Sequence, residues 1–368
     1  MIFNTIVLVG ALVIGGISAV VALAASKTRS EWGALGYGLL TGVGLSGLAA
    51  GVVVGYAGRD VFAVVHLAYL VVTVAVPLAA LATMVRGTFS SAWVRALLGV
   101  LILPAPIGLY ATHIEPFWLR VDHVVVPVAS AGDLDLRVGV LSDLQTVSIG
   151  DYELDAVATL LARDPDIVLV PGDLWQMSPS EFSQRAGEFA EILQMICDQV
   201  EHVFIVRGNT DRVYGLREVA RGTNAVVLDN EVVDVVVEGH PVRIFGISFD
   251  GDRDRFEQAS ELFAAPASDE PIRIVLAHQP DELYRFASGT PIDLMVAGHT
   301  HGGQVAVPFV GPPVTLSSVP RDVAAGGLHR LDGSLIYVST GVGRERGRAP
   351  QVRFGVRPTI GILDLFGE

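Results

Sequence analysis

Residues Val296-Ala297-Gly298-His299-Thr300-His301-Gly302-Gly303-Gln304 complete the apolar run Ile292-Asp293-Leu294-Met295. A short apolar run that ends in glycine reads as a buried strand delivering its last side chains into a tight loop. Glycines on both sides let the backbone turn sharply enough to aim two imidazoles at one point. An imidazole is a common metal ligand, and an H-x-H pair with a pinned backbone can serve one cation or two neighbouring ones. Alone, the pair also suits a polar loop with two solvated histidines. The decision rests on what the chain delivers elsewhere in the same way.

The same construction recurs upstream. A strand over 136–142 ends in Asp143-Leu144-Gln145, and the run Asp166-Ile167-Val168-Leu169-Val170-Pro171-Gly172 ends at Asp173. Strand 202–206 leads into Arg207-Gly208-Asn209-Thr210-Asp211, and strand 272–277 delivers His278. Each residue has an inexpensive structural explanation: Asp143 or Asp173 as a helix N-cap, Asn209 as a turn residue, His278 as a satisfied core histidine. Capping and turns together do not place all of them at strand ends. In open α/β sheets ligands bind at the carboxyl ends of strands, so Asp143, Asp173, Asn209, His278, His299 and His301 are expected to converge as a metal site. Further strands are expected over 121–127, 225–228, 232–237, 242–247, 335–339 and 359–365. Helices are expected over about 152–162, 179–199 and 280–287, the second carrying Phe182, Phe189, Leu193 and Ile196 on one face.

The chain has 368 residues, 51% of them apolar, and a mean hydropathy of +0.51. That excess is unevenly spread. Residues 1–116 hold five basic side chains (Lys27, Arg29, Arg59, Arg86, Arg95) and three acidic ones (Glu31, Asp60, Glu115); totals of 25 and 39 leave 20 basic and 36 acidic residues in 117–368. An acidic second half argues against nucleic acid as a non-specific partner, because phosphate backbones need a basic footprint. Small phosphorylated substrates stay compatible, since bound cations invert the local field. Cys197 is the only cysteine, which excludes an intrachain disulfide, and its apolar surroundings suggest a buried small hydrophobe.

Residues 2–25, 33–57 and 61–85 are free of charge and long enough to cross a bilayer as helices. A fourth run, 96–112, contains Pro104 and Pro106 and is expected to kink. Trp32, Trp93, Tyr110 and Trp118 fall near span ends, as interfacial aromatics do. Gly38/Gly42 and Gly47/Gly51/Gly55 suit close helix packing. A cleavable signal peptide ending near Ala22-Leu23-Ala24 is the alternative for the first run, but no basic residue precedes the run and it is too long. Lys27, Arg29, Arg86 and Arg95 on one side, against Arg59 and Arg120 on the other, make the first pair of loops cytoplasmic and send residues after 116 outward. His66, the one ionisable side chain within a span, reads as a neutral histidine bonded to a neighbouring helix.

The five blocks Asp143-Leu144-Gln145, Gly172-Asp173, Gly208-Asn209-Thr210-Asp211, Ala277-His278 and Gly298-His299-Thr300-His301 resemble the calcineurin-like metallophosphoesterase superfamily, whose signature is D-x-H, G-D, G-N-H-D/E, a lone H and G-H-x-H. The likeness covers about 120–366. Gly302-Gly303-Gln304 and Tyr337-Val338-Ser339-Thr340-Gly341-Val342-Gly343 look like the branch with N-terminal transmembrane segments. The resemblance implies an α/β fold for 117–368, a four-layer α/β/β/α sandwich, preceded by an all-α transmembrane bundle of about four helices in 1–116. It implies two divalent metal ions, Mn first and Fe, Zn or Mg otherwise. One would be held by Asp143, Asp173 and His301, with Gln145 where the family has a histidine; the other by bridging Asp173, Asn209, His278 and His299. Asp173, Asn209 and His299 carry over as catalytic residues, with metal-bound hydroxide attacking phosphorus and no covalent enzyme intermediate.

Two departures shape the expected chemistry. The Gln145 amide oxygen is neutral and harder than imidazole; it either ligates a metal such as Mn²⁺ or leaves its site weak. Thr210 replaces the histidine that assists near the leaving group and cannot supply a proton near pH 7, which favours good leaving groups such as pyrophosphate linkages or activated diesters. Arg344 and Arg346, in the densest basic cluster of the acidic half, are candidates for phosphate or headgroup contact beside the membrane, and Thr210 is a further substrate-binding candidate; a solvated loop is the plainer alternative for the arginines. Trp175 reads as packing, and His113, His123, His202, His240 and His329 match no block. The expectation is a multi-pass cell-membrane protein with an extracytoplasmic phosphoesterase domain acting on a phosphorylated small molecule or lipid-linked phosphate, with no nucleic acid and no obligate protein partner. The competing class is a catalytically impaired binding or regulatory module at the membrane, for which Gln145 and Thr210 argue.

Overall fold

The computed structural model describes residues 2–58, 60–87, 89–128, 134–267 and 270–367; Arg59, counted above in the loop charges, lies outside them. The chain divides into two compact units, Met1–Ile114 with Glu345–Gln351, and Glu115–Arg344 with Val352–Glu368.

In the first unit the apolar runs form α1 (Ile2–Ala25), α2 (Glu31–Ala57), α3 (Val61–Leu70), α4 (Val76–Arg86), α5 (Ala92–Ile102) and α6 (Pro104–His113). Grouped as Phe3–Ala25, Glu31–Tyr56, Val61–Arg86 and Ala92–Phe117, they give four spans long and apolar enough to cross a membrane. Ser30, Asp60 and Ser91 cap α2, α3 and α5, each accepting a first-turn backbone N–H that has no partner within the helix. Between α3 and α4 the chain widens into a π turn, Val71–Ala75, just before Pro77. A proline has no N–H to give the preceding turn, and one widened turn lets the span continue. In the run expected to kink, α5 stops at Ile102 and α6 starts at Pro104, with Leu103 between them in helical conformation.

Gly38 and Gly42 do face α1: a side chain at Gly38 would press on Ala22 Cβ at 2.8 Å, and one at Gly42 on Ser18 Oγ at 3.1 Å. Gly47, Gly51 and Gly55 have nothing within 4 Å, so the packing expected of all five belongs to the first two. His66 is buried, and its Nδ1 lies 3.2 Å from the carbonyl oxygen of Arg348, in the Glu345–Gln351 segment of the same unit. Its partner is thus a loop carbonyl and not a neighbouring helix. The Arg348 side chain reaches Asp60 at 3.4 Å.

The second unit holds twelve described strands in two six-stranded sheets. The first has the order β1 (Arg120–Val128), β12 (Thr359–Gly367), β2 (Asp135–Val140), β3 (Ile167–Val170), β4 (His202–Val206), β5 (Val226–Leu228). The second has β10 (Gly327–Leu331), β11 (Ser334–Val338), β9 (Leu294–Ala297), β8 (Ile272–Ala277), β7 (His240–Ile247), β6 (Glu231–Val237). Strands β2 to β5 run parallel, as do β7, β8, β9 and β11.

Side chains of alternate parity build three apolar layers. Val138, Leu169, Phe204, Ile274, Leu276, Val296 and Tyr337 pack between the sheets. Val168, Val170, Val203 and Ile205 point the other way, under α7 (Asp151–Leu161), α8 (Pro179–Cys197) and α9 (Val213–Val219). Phe245, Val275, Met295 and Ile336 meet α10 (Arg253–Ala264) and the short α11 (Arg321–Ala324). The result is the expected α/β/β/α sandwich. Residues 280–285 form a 3-10 turn in place of the expected helix. Trp175 is packing, as anticipated: it stacks on Phe182 with centroids 4.4 Å apart and meets the edge of Phe189. Cys197 is half-buried, more open than expected, because α8 ends there and is followed by solvent-facing Asp198.

Candidate metal centre

Strands β2, β3 and β4 are neighbours in one sheet, and β8 and β9 in the other, so their carboxyl ends share one rim of the sandwich. Asp143, Asp173 and Asn209 follow the first three; His278, His299 and His301 follow the other two. The loops are tight. Asp143, Gln145, Asp173, His299 and His301 all hold positive φ, between +39° and +70°, a backbone region disfavoured for residues with a Cβ. Five such residues in one rim mark a place where backbone conformation serves side-chain aim.

Two glycines of the quoted blocks have a direct steric reason. A Cβ on Gly208 would fall on the Asp173 carboxylate, and one on Gly298 would fall on Ser142 Oγ and the Asp143 carboxylate. Both acids therefore lie against bare backbone of the next loop.

Asp143, Asp173 and His278, all buried, present three potential ligand atoms within 4.8 Å of one another. The Asp143 carboxylate accepts from the Ser142 hydroxyl and from the His299 backbone N–H. Asp173 accepts from the Thr210 N–H at 2.8 Å. His278 donates through Nδ1 to the Pro171 carbonyl, 2.9 Å away, which leaves Nε2 without a proton. That Nε2 lies 3.5 Å from Asp173 Oδ2 and 2.8 Å from Asn209 Oδ1, while His299 Nδ1 sits 2.9 Å from the same Asn209 oxygen. The opposite nitrogen of His299 meets the Gln279 amide at 3.1 Å.

Electrostatics follow from this crowding. Burial, reinforced by the Asp173 charge, pushes the Asp143 carboxyl well above its ordinary value. Burial lowers His278 to about 4; burial and then neighbouring His278 lower His299 to about 4. Buried carboxylates that repel each other, beside neutral imidazoles whose lone pairs converge, form a donor set that a divalent cation would stabilise. The residues present fit such an ion.

The comparisons agree. Residues 136–303 match the family described as calcineurin-like phosphoesterase. The phosphodiesterase YaeI of Escherichia coli (strain K12) is 31% identical over 265 residues, spanning 70% of this chain and 92% of that protein. The chain belongs to the calcineurin-like metallophosphoesterases. An uncharacterized metallophosphoesterase of Helicobacter pylori is 27% identical over 223 residues, 57% of this chain and 55% of that one. Among solved structures, a dimetal phosphatase from Danio rerio aligns with a TM-score of 0.32 and 11% identity, over 56% of this chain and 88% of that chain. The four apolar N-terminal helices fit the metallophosphoesterase branch that carries transmembrane segments.

Within this metallophosphoesterase rim the two departures have defined surroundings. Gln145 is buried, and its Nε2 donates to Gln176 Oε1 at 3.3 Å. The Thr210 hydroxyl donates to the Trp175 carbonyl at 2.6 Å. It is thus engaged with backbone, so the Thr210 contribution to the site is its N–H on Asp173. His301 is buried, with Nε2 3.7 Å from Asp143 Oδ1 and Nδ1 3.4 Å from Arg353 Nη2. The Arg344 guanidinium lies 4.7 Å from the centroid of Phe117. Arg346 belongs to the segment grouped with the first unit.

Two further residues carry the rim that motif reading left unassigned. Arg353 is fully buried and donates to the carbonyls of Thr340, Gly341 and Gly343. Gly343 N–H in turn donates to the Asp143 carbonyl, so a buried cation braces the loop behind Asp143. Burial lowers that guanidinium to about 10. Asp211 was legible as part of the third block, though without a role. Its buried carboxylate accepts from the N–H groups of Leu174, Trp175 and Gly208, tying the β3 and β4 loops together. Burial, and then the Asp173 charge, raise it to about 8.

Proposed function

We propose that this chain is a membrane-anchored, metal-dependent phosphoesterase. Its catalytic half, residues 117–368, hydrolyses a phosphodiester, a pyrophosphate linkage or an activated phosphomonoester outside the cytoplasmic membrane. The observation that supports this is the convergence at one rim: ligand atoms of Asp143, Asp173 and His278 within 4.8 Å, with Asn209 and His299 within 3.2 Å of His278. The phosphodiesterase name of the E. coli relative supports a diester as one accepted substrate.

Asp143, Asp173, His301 and Gln145 would hold one divalent ion and Asp173, Asn209, His278 and His299 a second, with Mn²⁺ the first expectation. When bound, such ions supply a nucleophile at neutral pH and positive charge for the phosphoryl oxygens. The chain's own contributions are aim and charge. The Thr210 N–H orients Asp173, the Pro171 carbonyl fixes the His278 tautomer, and exposed Asn209 with half-buried His299 faces the open side where a phosphoryl group would arrive. No proton comes from Thr210, whose hydroxyl is engaged with Trp175, so groups that depart as stable anions are favoured. Arg344 and Arg346 are candidates for phosphate or headgroup contact, and the substrate is a phosphorylated small molecule or a lipid-linked phosphate.

The test is Mn²⁺-dependent hydrolysis of an aryl phosphodiester by the full chain in detergent, beside Asp173→Ala. Loss of the shared carboxylate is expected to reduce the rate by at least about 100-fold. A folded wild-type sample that is inert with Mn²⁺, Fe²⁺, Zn²⁺ and Mg²⁺ would sink the enzyme reading and leave a binding or regulatory module.

A further inference from the structure

Arg207, Arg212, Arg217 and Arg221, with Val213 and Tyr214, line an open pocket of about 620 Å³ on the segment that runs from β4 through α9. The size is within the range of small-molecule sites. The charge is out of character with a half of the chain that holds 36 acidic and 20 basic residues. An ordinary surface face would neutralise four guanidinium groups with nearby carboxylates, and here that happens only weakly. Among the described residues neither Arg212 nor Arg221 has a carboxylate within salt-bridge distance. Arg217 reaches Asp229 only at 3.8 Å, and Asp229 also serves Arg255 at 3.4 Å. Arg207 is anchored through uncharged groups, donating to the Phe249 carbonyl at 2.7 Å. Like charges gathered without counter-charge repel one another unless an anion joins them, and guanidinium forks match phosphate oxygens.

The pocket and the metal-centre rim are built from one stretch of chain. Arg207 stands two residues before Asn209. Its guanidinium lies 5.8 Å from the Phe249 ring centroid, which in turn lies 6.2 Å from the ring of His278. On the other side Thr210, whose N–H holds Asp173, shares a small cavity with Arg212 and Tyr214. Tyr214 is 60% exposed and leaves an aromatic face open beside the charges.

We infer that this pocket holds a second phosphoryl group of the substrate, and that the preferred bond is a phosphoanhydride: one phosphorus is attacked at the rim while its neighbour rests among the arginines. This deepens the phosphoesterase reading and rests on it. In the reaction a water oxygen joins the attacked phosphorus. The bridging P–O bond breaks with its electron pair going to the departing phosphate, and the two protons of water pass to the two phosphate products or to solvent. A phosphate leaving as an anion needs positive charge more than a proton. That accounts together for the four arginines and for a Thr210 hydroxyl with no proton to give.

The experiment uses the full chain in nanodiscs and compares wild type with Arg217→Gln/Arg221→Gln, exposed positions whose replacement is checked for an unchanged melting temperature. The first readout is the ratio of kcat/KM for a pyrophosphate diester to that for a bis-aryl phosphate. Wild type is expected to favour the pyrophosphate by at least about tenfold, and the variant to lose most of that preference, the size of one or two charge-assisted contacts. The second readout needs no catalysis: binding of inorganic pyrophosphate to chelator-treated protein, expected to weaken about tenfold in the variant and to fall with salt. Hydrolysis of both substrates with no preference, or pyrophosphate binding that ignores the arginines, overturns the inference. Arginine-dependent pyrophosphate binding with no hydrolysis of either substrate upholds the pocket and overturns the enzyme reading instead. If anionic lipid in the disc competes with pyrophosphate, the phosphoryl group comes from a headgroup; if it does not, from a soluble molecule. Either result upholds a phosphoryl subsite.

Discussion

Gln145 is where one residue decides how the rim handles metal. An amide stands where the family has imidazole, is held by Gln176 at 3.3 Å, and is proposed to share an ion with His301, whose Nδ1 lies 3.4 Å from Arg353. The set around His278 also has its outer nitrogens engaged, by the Pro171 carbonyl and the Gln279 amide, but its inner atoms, His278 Nε2, Asn209 Oδ1 and His299 Nδ1, lie within 3.2 Å of one another. Two-step Mn²⁺ binding is therefore expected in calorimetry, with the weaker step on the Gln145 side. Gln145→His should tighten that step on the order of tenfold, and an unchanged weak step would show that Gln145 is not near the ion. The buried acids and imidazoles also set a pH dependence. Asp211, at about 8, and Asp143, well raised, keep their protons in the native state where the unfolded chain has lost them. The Asp211 contribution to metal-free stability is full below the ordinary carboxylate range and is lost as pH rises to about 8, and the Asp143 contribution falls with pH in the same sense. His278 and His299, near 4 against an ordinary 6.5, act in the opposite sense, and their contribution is lost as pH falls from 6.5 to 4. Metal-free protein should melt highest near pH 6.5 and lower at 8.5, and the rise in Tm on adding Mn²⁺ should be larger at 8.5, because the ion then displaces fewer protons. Equal Mn²⁺ shifts at the two pH values in a thermal melt would contradict this.

At the scale of elements, legibility followed burial. Strands β3, β4, β8 and β9 are covered on both faces, so each is a short unbroken apolar run whose end is easily seen, and each end carries a rim residue. Elements of mixed exposure were harder. Helix α10 has only Phe256, Ala259 and Phe263 buried among charged neighbours, and β10 carries His329 and Arg330 in an edge strand with no fully buried position. Neither has a pattern strong enough to stand out. The 280–287 stretch has helix-forming residues, yet Asp281 is drawn to Ser317 and Ser318, and only a 3-10 turn forms. The π turn before Pro77 was likewise invisible, because hydropathy marks a span without marking its winding. The same logic holds at the site. Asp143, Asp173, Asn209, His278 and His299 announce themselves by residue type at a strand end. Arg353 sits in the unremarkable run Val352-Arg353-Phe354 and matters only because the fold buries it under the loop behind Asp143.

For the whole molecule, the count of spans governs the side of the membrane on which residues 117–368 are proposed to lie. The fourth candidate span is interrupted at Leu103 but resumes at Pro104 and runs on to His113, so the prolines do not shorten it below a bilayer's thickness. With four spans, the loop holding Lys27 and Arg29 and the loop bounded by Arg86 and Arg95 share one side, and basic residues near span ends are retained in the cytoplasm. The acidic half following the last span is then predicted to lie outside, which is the side from which the proposed substrate would come. In a Cys197→Ser background, a single cysteine at exposed Glu261 on α10 is expected to react with a membrane-impermeant maleimide on intact spheroplasts, and one at exposed Thr28 only after lysis. The reverse pattern would place the catalytic half in the cytoplasm. It would also turn the search for the second phosphoryl group towards soluble cytoplasmic anhydrides, since the arginine pocket makes the same chemical demand on either side.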